Sequence, residues 1–299
     1  MNPLPSTQPT LSSEGMSKSE ALAIITGADG GMGYEITKAV AQQGYHVIMA
    51  CYCPSKAETK RLELIQETGN PKIEVIGIDL ANLSSVRSFT DHVCQHFSQV
   101  NLLMNNAGTM ETGRHYTVDG LERTVSVNYV GPYLLTRLLF PLMGQGSRIV
   151  NMASCVYCLG RLHFPDFFER GKKGSFWRIP VYSNTKLAIT LFTLDLAKRV
   201  ESQGITVNAA DPGIVDTEII RMQMFFDPLT DIFFRPFIYT PRQGADTAIH
   251  LLLDEDKSTQ TGTFCRSNRI ISLSDKYLHH PQMQELWSRT EDIVLPYLD

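Results

Sequence analysis

Short runs of consecutive apolar residues alternate along this chain with longer stretches in which apolar positions recur every three or four residues. The short runs Ala21–Thr26, His46–Cys51, Ile73–Ile78, Asn101–Asn105, Arg148–Met152 and Ile205–Ala210 read as strands. Met32–Gln43, Lys56–Thr68, Ser84–Phe97, Val118–Met143 and Val181–Ser202 read as helices. Strands that are apolar at nearly every position need cover on both faces, and their alternation with helices predicts a parallel sheet. The expected fold is a single doubly wound α/β domain with helices on both faces of that sheet. Residues 1–18 hold three Pro and several Ser and Thr without an apolar core, which predicts a flexible tail ahead of a domain spanning residues 19–299.

Composition narrows the function classes. Lys and Arg number 27 against 31 Asp and Glu, a net charge of −4, which argues against a nucleic-acid partner. No apolar run approaches the roughly 18 residues of a spanning helix, so no transmembrane segment is expected. The six cysteines, at 51, 53, 94, 155, 158 and 265, form no disulfide framework. Cys155 and Cys158 have half of a zinc spacing, but no second pair completes a site, so no metal is expected. This cysteine usage suits a reducing, cytoplasmic setting.

The first strand runs into Gly27-Ala28-Asp29-Gly30-Gly31-Met32-Gly33, where a helix begins. Glycines there permit a tight turn and close approach of the backbone to a pyrophosphate, whose charge the N–H groups of the helix start can hold. Asp79 follows the third strand and Asn105-Asn106-Ala107-Gly108 close the fourth. Ligands of open α/β sheets bind at such strand ends, so Asp79 could meet an adenine amino group and Asn106–Gly108 could flank the adenosine. Each of these features, taken singly, is also an ordinary turn.

Tyr182 and Lys186 stand four residues apart, on one face of a helix. A cation beside a phenol stabilises the phenolate, and a positioned Tyr can exchange a proton with an alcohol oxygen. An amphipathic surface pair has the same spacing. Ser154 follows a strand and could hold a carbonyl oxygen. Asn128 is one amide in the otherwise apolar stripe Leu121, Val125, Pro132, Leu135 and Leu139. It is either a structural bridge or part of a proton or water relay, since a buried amide needs partners.

Thr26-Gly27-Ala28-Asp29-Gly30-Gly31-Met32-Gly33, Asp79-Leu80, Asn105–Gly108, Asn128, Ser154, Tyr182–Lys186 and Pro212-Gly213 with Thr217 occur in the order of the short-chain dehydrogenases/reductases. The chain resembles that family over roughly residues 20–270. The resemblance implies a Rossmann domain and an NADP- or NAD-dependent oxidoreductase. It implies Tyr182 as acid/base, Lys186 on the nicotinamide ribose lowering the Tyr pKa, Ser154 orienting the reacting oxygen, and Asn128 supporting a water-linked proton path. Thr26, Gly27, Asp29, Gly31, Met32, Gly33, Tyr52, Asp79, Leu80, Asn106, Ala107, Gly108, Pro212, Gly213 and Thr217 are the further cofactor contacts it implies, with Thr217 by the nicotinamide carboxamide. The 28-residue interval from Ser154 to Tyr182, with Gly160–Phe164 inside it, is similar to the retinol-dehydrogenase-like branch. So is Thr261–Phe264 followed by a terminal helix bearing Trp287.

The sequence departs from the branch at several places. Asp29 brings a negative charge to the adenosine end, and Asp211 stands where the branch often has His. The second strand ends in Cys51, Tyr52 and Cys53, lacking the acid that would accept bonds from a ribose 2′-OH and the Arg that NADP users of the branch often carry at position 52. Lys56, Lys60 and Arg61 are the nearby cations in sequence. The branch tips the balance slightly toward NADP.

Between Glu218 and Thr240, 13 of 23 residues are apolar or aromatic. An apolar lid over a hydrophobic alcohol or carbonyl substrate is the preferred reading, beside a core helix, a subunit contact or shallow membrane association. The resemblance also implies a homodimer or homotetramer through the long helices of Val118–Met143 and Val181–Ser202. A non-catalytic dinucleotide-binding regulator or scaffold is the alternative function, but such a binder has no need of Ser154, Tyr182 and Lys186 together.

Overall fold

A computed structural model of the chain describes residues 21–167, 178–215 and 239–298. The expected tail lies outside them, as do Thr217 and all of the 218–240 stretch except Tyr239 and Thr240. The six expected strands form as β1 (Leu22–Thr26), β2 (His46–Cys51), β3 (Ile73–Gly77), β4 (Leu102–Asn105), β5 (Arg148–Met152) and β6 (Thr206–Asp211). Two more follow, β7 (Phe264–Arg266) and β8 (Arg269–Ile270), in the spatial order β3-β2-β1-β4-β5-β6-β7-β8. All neighbouring strands are parallel except β7 and β8. Ser267 and Asn268 join that last pair with φ of 49° and 59°, the two-residue turn that favours a hairpin. A three-residue and a two-residue strand carry too little periodicity to be read from sequence.

The helices are α1 (Gly31–Gln42), α2 (Pro54–Thr68), α3 (Leu83–His96), α4 (Arg123–Val125), α5 (Gly131–Leu139), α6 (Arg178–Val200), α7 (Pro241–Leu253), α8 (Asp275–Leu278) and α9 (Met283–Val294). Alternate residues of the strands feed two separate cores. Leu22, Ile24, Ile48, Leu103, Ile149 and Val207 pack with residues of α3, α5 and α6. Ala23, Ile25, Val47, Met49, Met104 and Val150 pack with residues of α1, α2 and α7. This is the two-sided cover that continuous apolar strands require.

The expected continuous helix over Val118–Met143 is not what forms. A turn closed by Thr117 precedes Glu122, whose carboxylate accepts a hydrogen bond from the Val125 N–H at 2.9 Å and caps α4. The chain then widens into a π-helical turn, Ser126–Val130, before α5. Pro132 offers no N–H to the Asn128 carbonyl, and the Ser126 hydroxyl donates to the Leu80 carbonyl at 2.9 Å; both favour a local departure from α geometry.

The terminal helix α9 lies on α5 and α6. The Arg137 guanidinium reaches Glu291 at 2.7 Å, the Tyr133 hydroxyl also bonds Glu291, and Tyr129 meets Thr290 at 2.8 Å. The Trp287 ring packs edge-on against Tyr133, with the Arg199 guanidinium 3.9 Å from its centroid. Leu286 is buried in the same core. Leu286→Ala is expected to cost about 2–5 kcal/mol in urea unfolding, whereas Leu295→Ala, at an exposed position, shifts stability by less than about 0.5 kcal/mol. Equal midpoints for the two variants would show that α9 is not part of the cooperative core.

Candidate active site

At the C-terminal end of β1 the chain turns through Gly27 to Gly30 into α1. Gly27 and Gly31 have φ of 61° and 45°, and a Cβ on Gly33 would lie 2.0 Å from the Gly27 carbonyl oxygen. Only glycine closes this turn. No side chain caps α1, so its first N–H groups remain donors for an anion such as a pyrophosphate. Met32 packs toward α7, with its sulfur 2.9 Å from where a Cβ on Gly244 would stand.

The Thr26 hydroxyl ties this turn to the end of β4. Its oxygen accepts from the N–H groups of Asn106 and Ala107, both at 3.0 Å. The Asn106 amide in turn donates to the carbonyls of Thr26 and Gly27 at 2.9 and 3.2 Å. Asn106 Oδ1 is buried without a partner among the described residues, an acceptor that a ligand hydroxyl or amine would satisfy. Asp79 accepts from the Ala81 N–H at 2.8 Å, and Gly108 abuts the Asn128 amide. These residues fit a dinucleotide: an uncapped helix start, a turn closed to any Cβ, and a partnerless buried acceptor lie at neighbouring strand ends.

The adenosine end differs from what sequence order suggests. Asp29 is engaged with the buried Cys51 thiol, which burial, and then Asp29, push above the usual thiol range. Lys60 pairs with Glu63 at 2.6 Å and Arg61 with Glu58 at 2.6 Å, along their own helix. Tyr52 is 66% exposed.

The residues expected to handle the proton converge at the ends of β5 and β6. Ser154 follows β5, and its hydroxyl stands close enough to Tyr182 on α6 to favour the phenolate. Lys186, one turn further on, is 4% exposed and donates to the Met152 carbonyl at 2.7 Å, with its nitrogen 5.5 Å from the Tyr182 ring centroid. Burial pushes the Lys186 ammonium down to about 8, against the opposing pull of Asp211. Burial also pushes the Tyr182 phenol above its ordinary range, helped by Asp211 and Cys155 and opposed by the Ser154 hydrogen bond. The Tyr–Lys spacing suggested an acidified phenol, but burial works the other way here and is the larger effect, and the Lys186 proton is directed at a carbonyl.

Asn128 is a bridge. Its Oδ1 accepts from the Thr109 N–H at 2.7 Å, and its Nδ2 donates to the Thr109 carbonyl at 2.8 Å and to Thr185 at 3.3 Å. The π-helical turn thereby fastens the loop after β4 to α6. On the far side, the Gly213 N–H donates to Asp211 at 3.0 Å with φ of 74°, beside Pro212, and the Tyr239 ring covers it. Thr217 lies outside the described residues.

Comparison with known proteins decides the family. The family model for short chain dehydrogenase matches residues 21–167 and 169–224. The chain belongs to the short-chain dehydrogenases. Retinol dehydrogenase 11 of Mus musculus is 35% identical over 91% of this chain and 86% of that protein; retinol dehydrogenase 14 of Mus musculus is 34% identical over 91% and 85%. Among solved structures, a blue fluorescent protein from a metagenomic library, in complex with NADPH, superimposes with a TM-score of 0.65 at 25% identity, covering 82% of this chain and 95% of that one. The fold is thus the Rossmann-like one of this family, and the chain is an NAD(P)-dependent oxidoreductase of the class acting on CH–OH donors.

Two charged contacts of this short-chain dehydrogenase escaped sequence reasoning, the Asp211–Arg266 pair and the approach of Arg123 to Tyr52. Asp211 is fully buried and its carboxylate accepts from Arg266 Nε at 2.7 Å and Nη2 at 2.5 Å. The two residues are opposite one another in the β6–β7 ladder, a relation invisible without β7. Arg123, at the start of α4, reaches the end of β2 from 71 residues away in sequence. A cleft of about 620 Å³ beside Gln42, Arg242 and Asp254 shares no residue with the site. Gly33→Ala should abolish reduced-dinucleotide binding in a fluorescence titration and destabilise the fold by about 1–3 kcal/mol through overpacking. Retained affinity with an unchanged melting temperature would mean that the turn does not hold the ligand.

Proposed function

We propose that this protein interconverts a lipophilic alcohol and its carbonyl compound, with Tyr182 as the acid/base. The observation that carries the reading is the buried Lys186, 5.5 Å from the Tyr182 ring centroid and bonded to the Met152 carbonyl two residues before Ser154, at the same edge of the sheet as the glycine turn. A nicotinamide, when bound, supplies or accepts the hydride. Ser154 fixes the substrate oxygen beside the phenol, and Tyr182 gives that oxygen its proton in reduction or takes it in oxidation. Lys186 holds positive charge beneath the phenol and, by the family resemblance, engages the nicotinamide ribose. Asn128 keeps the loop after β4 and α6 in register, and Thr217 and Pro212-Gly213 complete the nicotinamide end.

The retinol dehydrogenases among its relatives are named for a lipophilic alcohol, and the apolar 218–240 stretch follows directly on the nicotinamide end; both support a hydrophobic substrate. No described helix is long and apolar enough to cross a membrane. All six cysteines are free, which supports a reducing, cytoplasmic setting. A homodimer or homotetramer through α5 and α6, which the family resemblance implies, would have to accommodate α9, which packs on both helices.

Tyr182→Phe is expected to lower turnover of a hydrophobic alcohol and carbonyl panel by at least roughly 10²–10⁴-fold while reduced-dinucleotide affinity stays within about threefold. Near-normal turnover would remove Tyr182 from the chemistry. The difference in tyrosinate absorbance between wild type and Tyr182→Phe should show no ionisation below about pH 10 in dinucleotide-free protein, because burial disfavours the phenolate. Adding an oxidised dinucleotide, whose pyridinium is cationic, lowers that midpoint. A midpoint near neutrality without dinucleotide would show that Lys186, not burial, governs the phenol.

A further inference from the structure

At the end of β2, one strand from the glycine turn, a dinucleotide fold reads the ribose 2′ position: an acid there accepts from a 2′-hydroxyl, a guanidinium accommodates a 2′-phosphate. Here the strand closes on Cys51, which has no carboxylate, and its thiol occupies Asp29. The next residue, Tyr52, is an exposed ring with a cation from elsewhere over it: the Arg123 guanidinium carbon lies 5.7 Å from the ring centroid. Glu111 takes the Arg123 Nε at 3.2 Å, which orients the planar fork, and the Arg123 side chain remains 36% exposed. Burial disfavours the charged guanidinium, and a hydrogen bond to Tyr52 and the carboxylates of Glu111 and Asp79 outweigh it.

We propose that Arg123 is the residue that reads the cofactor, binding the 2′-phosphate of NADP(H) from α4 in place of an arginine on β2. This rests on the dinucleotide reading above and adds the selectivity residue to it. Three arguments support the choice. A guanidinium matches a phosphate bidentately, where an ammonium offers only a point charge. Lys60 and Arg61, the cations nearer in sequence, pair with Glu63 and Glu58 along α2, and Lys60 lies over Tyr34, whereas Arg123, paired with Glu111, lies over Tyr52 at the end of β2. Tyr52, stacked beneath the guanidinium, limits the directions in which the fork can swing, so less rotamer freedom is lost on binding. Lys56, in the first turn of α2, is the competing cation.

Calorimetric titration of NADPH and of NADH, separately, tests this. Wild type should bind NADPH the more tightly. Arg123→Ala should weaken NADPH by roughly 10- to 100-fold and NADH by less than about threefold. Arg123→Lys should fall between, and Tyr52→Arg added to Arg123→Ala should restore NADPH binding. Lys56→Ala should leave the ratio unchanged. Equal losses for both dinucleotides would make Arg123 a stacking platform for the adenine and overturn the proposal, as would unchanged NADPH affinity or a loss transferred to Lys56→Ala. A wild type that prefers NADH overturns this proposal alone, whereas one that binds neither overturns the dinucleotide reading beneath it. Circular dichroism and the melting temperature are the fold control: a properly folded Arg123→Ala protein keeps the wild-type values.

Discussion

An ammonium group sealed away from water organises the chemistry of this protein. Burying a cation without partners is costly, and Lys186 survives burial because its proton goes to the Met152 carbonyl and a carboxylate, Asp211, stands in its field. Met152 ends β5, and Ser154 comes two residues later, so the strand that satisfies the lysine also delivers the hydroxyl that meets Tyr182. The helix that carries Lys186 delivers Tyr182 itself. One hydrogen bond between α6 and β5 therefore helps to hold Ser154, Tyr182 and Lys186 at the same edge of the sheet. Such preorganisation lets a site favour a charge-shifted transition state without rearranging at the moment of reaction.

Much of this was legible from the chain because strands buried on both faces cannot hide their pattern. β1, β2 and β5 begin and end within a residue or so of their apolar runs, and glycine is imposed at 27 and 33 by a turn that no other residue can make. What escaped shares a physical cause: it depends on partners distant in sequence. The π-helical turn at Ser126–Val130 follows from Pro132 and from a bond between Ser126 and Leu80, and a periodicity scan sees only an unbroken apolar stripe. The two bonds between the Asn128 amide and Thr109 could not be read from a stripe that shows only one amide among apolar residues. The Asp211–Arg266 pair needed β7, three residues long. The phenol misled in the other direction, since sequence spacing announces a neighbouring cation but is silent about desolvation.

The terminal helix changes how the surface of the fold is to be understood. Tyr133, Arg137, Phe192 and Arg199, on α5 and α6, are all engaged by α9 through Trp287 and Glu291. A second copy would have to offer an aromatic ring and a carboxylate in the same places to compete with a helix tethered in the same chain, which acts at high effective concentration. While α9 is docked, that face behaves as interior.

The pairing of Val215 with Tyr239, with the Tyr239 N–H donating to the Ile214 carbonyl at 2.7 Å, pins two points 24 positions apart in the sequence side by side at the rim of the sheet. Whatever stretches between such a clasp can lengthen, shorten or be exchanged at small entropic cost, because closure is already provided by the frame. An evolving lineage could thus rewrite this stretch of sequence while leaving the ends of β5 and β6 untouched.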